Sequence, residues 1–225
     1  MKKHLIFLPL FSLMLLFGCG EFGVTTTTVA PTTTSSTATT TSTTTTTTTT
    51  TTLRDGGSGY WPHNDGNIWD YKVTNPDGSV SSETWTLNGT AELNNSKVAQ
   101  KLLKDSTASY LLFESSSILE YDSLSDTHPY TLLSEPLSVG KKWYFDAGAV
   151  SSEAEVLSSG EVSVPAGTFD VYKVQITIME VGATNYYTYW FSEDAGPVKY
   201  EYGLSIVAPP FTTDYTTYEL TSKNF

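Results

Sequence analysis

IWDYKV, residues Ile68 to Val73, sets Trp69, Tyr71 and Val73 on one face of an extended chain and Asp70 and Lys72 on the other. A period of two is what a half-buried β-strand requires, because successive side chains of a pleated backbone point to opposite faces. Asn75, Pro76, Asp77 and Gly78 follow as consecutive turn formers, and alternation resumes over Glu83 to Leu87 with Trp85 and Leu87 on one side. The pattern predicts a hairpin.

The same alternation, broken by Gly, Pro, Asn and Ser, predicts further strands over 97–104, 109–114, 142–146, 154–158, 171–181, 184–191, 198–202 and 214–221. No ten-residue window carries a helical period. The expected fold is therefore all-β, an antiparallel curved sheet, sandwich or partly open barrel with little helix. Without crossover helices a parallel sheet is excluded.

NYYTYWF, Asn185 to Phe191, places Tyr187, Tyr189 and Phe191 on one face and Tyr186 and Trp190 on the other, and neither face is plainly polar. Such a strand either sits in a packed core or lines a concavity; native interiors are normally filled, which favours the core. If a ligand pocket exists, Tyr187, Tyr189 and Phe191, or the opposite pair Tyr186 and Trp190, are its candidate lining. A fainter echo links GNIWDY (Gly66 to Tyr71) with GKKWYF (Gly140 to Phe145), each a glycine, two residues and a tryptophan.

VPAGTF, Val164 to Phe169, reads as a chain reversal between two strands: Pro165 cannot donate to a ladder and Gly167 tolerates positive φ. Phe169 would then cap the core.

The N-terminus has a separate character. Lys2 and Lys3 precede an apolar or small run from Leu5 to Gly18 in which Ser12 is the polar exception. This is the layout of a secretory signal peptide, and it falls short of the about 20 residues that span a bilayer. Leu16, Phe17, Gly18 and Cys19 resemble the lipobox of bacterial lipoproteins, which implies cleavage before Cys19 and acylation of its sulfur. Cys19 is the sole cysteine of the chain, so it has no internal disulfide partner. Thr25 to Thr52 then holds 21 threonines in 28 residues. A segment with so few large apolar groups cannot offset the entropy of ordering, so a tether is expected, about 85 Å long when stretched at about 3.1 Å per residue. The organisation read from the sequence is a signal peptide over 1–18, a lipidated cysteine and Thr-rich linker over 19–56, and one β-rich domain over 57–225.

That domain carries all five tryptophans and all 14 tyrosines. Without Lys2 and Lys3 the chain has ten basic against 24 acidic side chains, a formal charge of −14. Such a balance argues against nucleic acid as a partner, since the phosphate backbone is met by basic clusters.

WPHNDGNIWDYKV (Trp61 to Val73), VPAGTFDVYKVQI (Val164 to Ile176) and YWFSEDAGPVKYEYG (Tyr189 to Gly203) together resemble bacterial secreted proteins and lipoproteins with a TapB-like domain. In that family a Gly-x-x-Trp strand, a VPAGTF turn and a Tyr-Trp strand ending in Gly-x-Val-Lys recur in order. Gly196, Val198 and Lys199 fit the last element, while Pro197 replaces the usual aliphatic residue. The resemblance implies a partly open β-barrel, similar to the Lol lipoprotein carriers, and carries no catalytic residues.

No catalytic motif is expected. His63 and His128 are far apart and lack metal-ligand spacing, and Gly56 to Tyr60 falls one residue short of a GxSxG elbow. The acidic pairs Glu153 with Glu155 and Glu193 with Asp194 read as solvated surface. HNDGN (His63 to Asn67), NPDGS (Asn75 to Ser79) and DSLSD (Asp122 to Asp126) read as turns rather than calcium loops. No cofactor and no metal is implied. Two functions fit: a noncatalytic envelope lipoprotein whose β domain contacts a protein, a glycan or the cell wall, or a carrier of a lipid or other hydrophobic ligand in the concavity of the sheet. An apolar pocket of about 300 Å³ or more would favour the carrier. Gly20, where inner-membrane retention calls for aspartate, points to anchoring at the outer membrane.

Overall fold

The computed structural model describes residues 59–149, 151–206 and 214–225. The expected signal peptide over 1–18, Cys19 and the expected tether over Thr25–Thr52 lie outside the described residues.

Among the described residues there is no helix, and the fold is all-β. Twelve antiparallel strands run β1 (Ile68–Thr74), β2 (Val80–Glu92), β3 (Val98–Lys104), β4 (Thr107–Phe113), β5 (Ser117–Tyr121), β6 (Tyr130–Ser134), β7 (Lys142–Tyr144), β8 (Ser151–Val164), β9 (Gly167–Glu180), β10 (Ala183–Ser192), β11 (Gly196–Ile206) and β12 (Asp214–Lys223). They form one sheet in the order β6-β5-β4-β3-β2-β1-β12-β11-β10-β9-β8-β7. Two six-strand meanders are thus joined through the β1–β12 pair, where Trp69 stands opposite Lys223 and Val73 opposite Tyr218.

The sheet curls into a nearly closed barrel. Its outer strands, β6 and β7, are held by side chains: Trp143 Nε1 donates to the Thr131 carbonyl at 2.9 Å, and Lys141 Nζ donates to the carbonyls of Ser134 and Pro136 at 2.6 and 3.0 Å. Closure of this kind covers edges that would otherwise pair with foreign strands.

Inward residues follow the period of two. Trp69, Tyr71 and Val73 of β1 are all buried, as are Trp85 and Leu87 of β2 and Val174, Ile176 and Ile178 of β9. One end of the barrel is filled by the segment before β1. Trp61, wholly buried, packs against Trp69, Trp85 and Phe191 at ring-centroid distances of 6.3, 6.5 and 5.9 Å. Asn67 Nδ2 donates to the Pro62 carbonyl, Gln100 Nε2 to that of His63, and the His63 ring stacks on Phe113 at 4.5 Å.

VPAGTF makes the chain reversal its composition predicts, and the structure makes it in two residues, β8 ending at Val164 and β9 starting at Gly167 with φ +139° rather than at Phe169. Phe169 packs half-buried against the core. Pro197 sits at a register shift between β10 and β11, and its carbonyl accepts the Tyr71 hydroxyl at 2.6 Å.

β5 and β6 arise in a stretch where alternation predicts no strand. β8 runs well past Ser158, through LSSGEVS, because its outer half is held by ladder hydrogen bonds to β9 rather than by burial.

Candidate functional site

The plugged end is where even strands turn into odd ones. Toward the opposite, odd-to-even end, six strands converge on a cavity of about 190 Å³. Its apolar walls are Leu132 of β6 and Ile176 and Ile178 of β9. Four tyrosines line it as well: Tyr130 from β6, Tyr187 and Tyr189 from β10, and Tyr200 from β11. The rings of Tyr130 and Tyr187 meet across the interior at 6.5 Å, and those of Tyr189 and Tyr200 stack at 4.6 Å.

Three charged groups complete the lining. Glu120 of β5 is buried with only 6% of its surface exposed, and its Oε1 accepts from Lys104 Nζ at 2.8 Å and from Ser109 Oγ at 2.6 Å. Lys104, from the end of β3, also lies 4.7 Å from the centre of the Trp85 ring. A buried carboxylate is tolerable only when paired in this way. Asp122 stands at the mouth, exposed on its outer side, and its Oδ2 accepts the Tyr130 hydroxyl at 3.3 Å. Protein crowding its inner side pushes the Asp122 carboxyl above the usual aspartate range, and the nearby Glu120 and Asp126 push it further.

Burial lifts Tyr189 and Tyr200 well above the ordinary phenol range. It is also the first cause of the rise at Tyr130 and Tyr187, to which Asp122 and Tyr202 respectively add. All four phenols therefore stay neutral at physiological pH, and the Tyr189 ring is sandwiched between those of Phe191 and Tyr200.

Of the aromatic residues singled out in the sequence, Tyr187 and Tyr189 line this cavity. Phe191 is wholly buried in the core beneath, stacked on Tyr189 at 5.2 Å. Tyr186 and Trp190 face outward. Trp190 lies between Lys173 and Lys199, whose ammonium groups sit 4.8 and 4.7 Å from the centre of its ring. Lys104, Glu120, Asp122, Tyr130 and Tyr200 join the cavity without having been singled out. The one local signal was Glu120, in phase with Ile118 on the inward face.

The remaining acidic and histidine sites resolve into local contacts. Asp77 Oδ1 accepts from the Ser79 amide at 2.8 Å, closing the β1–β2 turn. Asp65 Oδ1 accepts from the Gly89 amide, and Asp126 Oδ2 from the Asp122 amide at 3.3 Å. Glu155 pairs with Lys142 at 2.9 Å, and His128 Nε2 lies 3.6 Å from Asp146 Oδ2. A second, shallower cavity of about 370 Å³ flanks the β8–β9 hairpin, where Glu193 joins Tyr60 and Tyr172, whose rings meet edge to face at 5.8 Å.

The odd-to-even end also gathers exposed apolar side chains. Of the eleven large hydrophobic residues exposed among the described residues, seven lie at that end: Val80 on β2, Tyr215 on β12, Leu204 on β11, Met179 on β9, Val181 in the β9–β10 turn, Tyr144 on β7 and Leu124 in the β5–β6 loop. Val181 is 94% and Tyr144 71% exposed.

No family model matches the chain, and no curated protein matches it. Two solved structures are similar. One is a chain from Parabacteroides distasonis described provisionally as a lipoprotein, with 14% identity and a TM-score of 0.43, covering 73% of this chain and 98% of its own. The other is a chain from Bacteroides fragilis described provisionally as an exported protein with a YmcC-like fold, with 13% identity and a TM-score of 0.44 over the same shares.

Proposed function

We propose that this chain is a noncatalytic lipoprotein of the bacterial cell envelope, anchored at the outer membrane through Cys19, that meets a partner protein with the odd-to-even end of its barrel. The observation that carries the contact is the gathering of exposed apolar side chains at that rim, from β2, β12, β11, the end of β9 with its following turn, and β7. Isolated surface hydrophobics are ordinary, whereas seven of eleven gathered at one end mark a surface that gains by being covered. Aliphatic Val80, Met179, Val181 and Leu204 outnumber the two tyrosines, which suits a protein partner better than a glycan. The signal-like N-terminus, the solitary Cys19, the Thr-rich tether and the TapB-like resemblance support the envelope location. The carrier reading draws on the cavity, but about 190 Å³ in which Lys104, Glu120, Asp122 and four phenols share the lining with three aliphatic residues suits a small polar molecule, not an acyl chain.

A photo-crosslinking residue placed at Val181 in living cells should give a discrete protein adduct, lost when Met179 is also changed to Glu, while the same probe at Val98 on the opposite end gives none. Equal labelling at both ends, or an adduct that disappears only after cell-wall digestion, would overturn the protein contact. Cys19→Ser should release the chain from membranes into the aqueous fraction. Membrane retention of that variant would rule out the anchor.

A further inference from the structure

The tyrosine-lined cavity has a charge imbalance that the fold does not correct. Two carboxylates, Glu120 and Asp122, face one ammonium, Lys104. Lys104 is committed to Glu120 at 2.8 Å, with Ser109 filling a second position on the same oxygen at 2.6 Å. Glu120 is therefore neutralised and buried. Asp122 forms no ion pair among the described residues, and its side-chain oxygens take a single long hydrogen bond from Tyr130. The space between is bounded by four phenol side chains and by Leu132, Ile176 and Ile178, and aromatic groups attract cations most strongly where water is excluded.

We propose that this cavity binds a small organic cation carrying an ammonium group, with the Asp122 carboxylate as its counter-ion and the rings of Tyr130, Tyr187, Tyr189 and Tyr200 as its walls. Three features point the same way. The net charge of the lining is negative, so an anion would meet Glu120 and Asp122 with its charge uncompensated. The aromatic and aliphatic lining rewards a diffuse positive charge, which an inorganic ion keeping its hydration shell would not exploit. The volume, about 190 Å³, admits a headgroup-sized molecule and excludes one bearing an acyl chain. The strong acidic balance of the whole chain, a formal −12, raises the local concentration of cations around it. The inference stands apart from the proposed partner contact, since the cavity lies inside the rim that would carry it.

Choline and its uncharged isostere 3,3-dimethylbutan-1-ol separate charge from shape. Titrated calorimetrically into the full-length protein, choline should bind and the neutral isostere should bind at least tenfold more weakly. Asp122→Asn should weaken choline at least tenfold while leaving the circular dichroism spectrum unchanged. Tyr187→Leu should weaken choline and tetramethylammonium alike. Equal affinity for choline and its isostere, no heat with either, or unchanged choline binding in Asp122→Asn would each overturn the proposal. The comparison on the unaltered protein stands even if a variant fails to fold.

Discussion

Gly66 and Gly140 occupy the same position in the two six-strand meanders. Their φ angles are +83° and +85°, and their amides donate to the carbonyls of Leu87 and Val156 at 2.8 Å each. The bonds that return are also matched, from the Leu87 amide to Asn67 at 3.0 Å and from the Val156 amide to Lys141 at 2.9 Å. Three residues later each meander places a buried tryptophan, Trp69 opposite Trp85 and Trp143 opposite Ala154. Each long second strand then slips register, β2 after Leu87 and β8 after Val156. The faint sequence echo therefore marks equivalent entries into two equivalent halves, with β6 approaching β7 where β12 pairs with β1.

Because both glycines are left-handed and nothing lies within 4 Å of a Cβ built on either, the cost of adding one is a backbone cost alone. Gly66→Ala and Gly140→Ala should each lower the unfolding free energy by about 1–2 kcal/mol, by equal amounts. Urea titration measures both. A marked inequality would break the equivalence.

Trp61→Ala should cost about 3–5 kcal/mol, since it removes a wholly buried ring packed on three aromatic neighbours. Trp61→Phe should cost distinctly less, because the Trp61 Nε1 group has no hydrogen-bond partner to lose among the described residues. Thermal melts that rank the two variants equally would contradict this account of the plug.

At Gly167, φ is +139° and an added Cβ would meet the Phe169 ring at 3.8 Å, an ordinary contact. Backbone strain at the VPAGTF reversal then dominates. Gly167→Val should lower the melting temperature through about 1–3 kcal/mol of strain, and an unchanged melt would count against the turn's role.

The Asp122 carboxyl is held above its ordinary range by burial of its inner side and by Glu120 and Asp126. For an acid whose folded pKa is raised, the stabilising contribution is full below the unfolded value of about 3.9 and is lost as pH rises through the folded value. Asp122→Asn, which mimics the protonated side chain, should therefore melt higher than the parent at pH 7. The gap should close as pH falls below the ordinary aspartate range. A variant less stable than the parent at pH 7 would show that the charged carboxylate is stabilising there. If the charge costs stability yet serves cation binding, Asp122 is a site residue kept against the interest of the fold.

β10 and β5 differ in how much of their placement their own residues encode. β10 shows its two faces in NYYTYWF, and the structure keeps that division, Tyr187, Tyr189 and Phe191 inward and Tyr186 and Trp190 outward. β5 escaped because Glu120 occupies an inward position, and a carboxylate there breaks the apolar alternation by which a strand is recognised. The position is tolerable only because Lys104, on a strand 16 residues earlier, reaches it. β6 escaped for a related reason, since Leu132 and Leu133 are both buried and the period of two disappears.

By itself the chain determined that the backbone would be β, where most turns would fall, and that aromatic side chains would face inward, because alternation and turn chemistry are local properties of the pleated chain. Only the tertiary structure decided that two meanders would join through β1 and β12, and that Lys104, Glu120, Asp122 and four tyrosines would surround one space. Those residues come from five strands and a loop, and sheet order is settled by pairing energies between segments far apart in sequence, which no local period encodes.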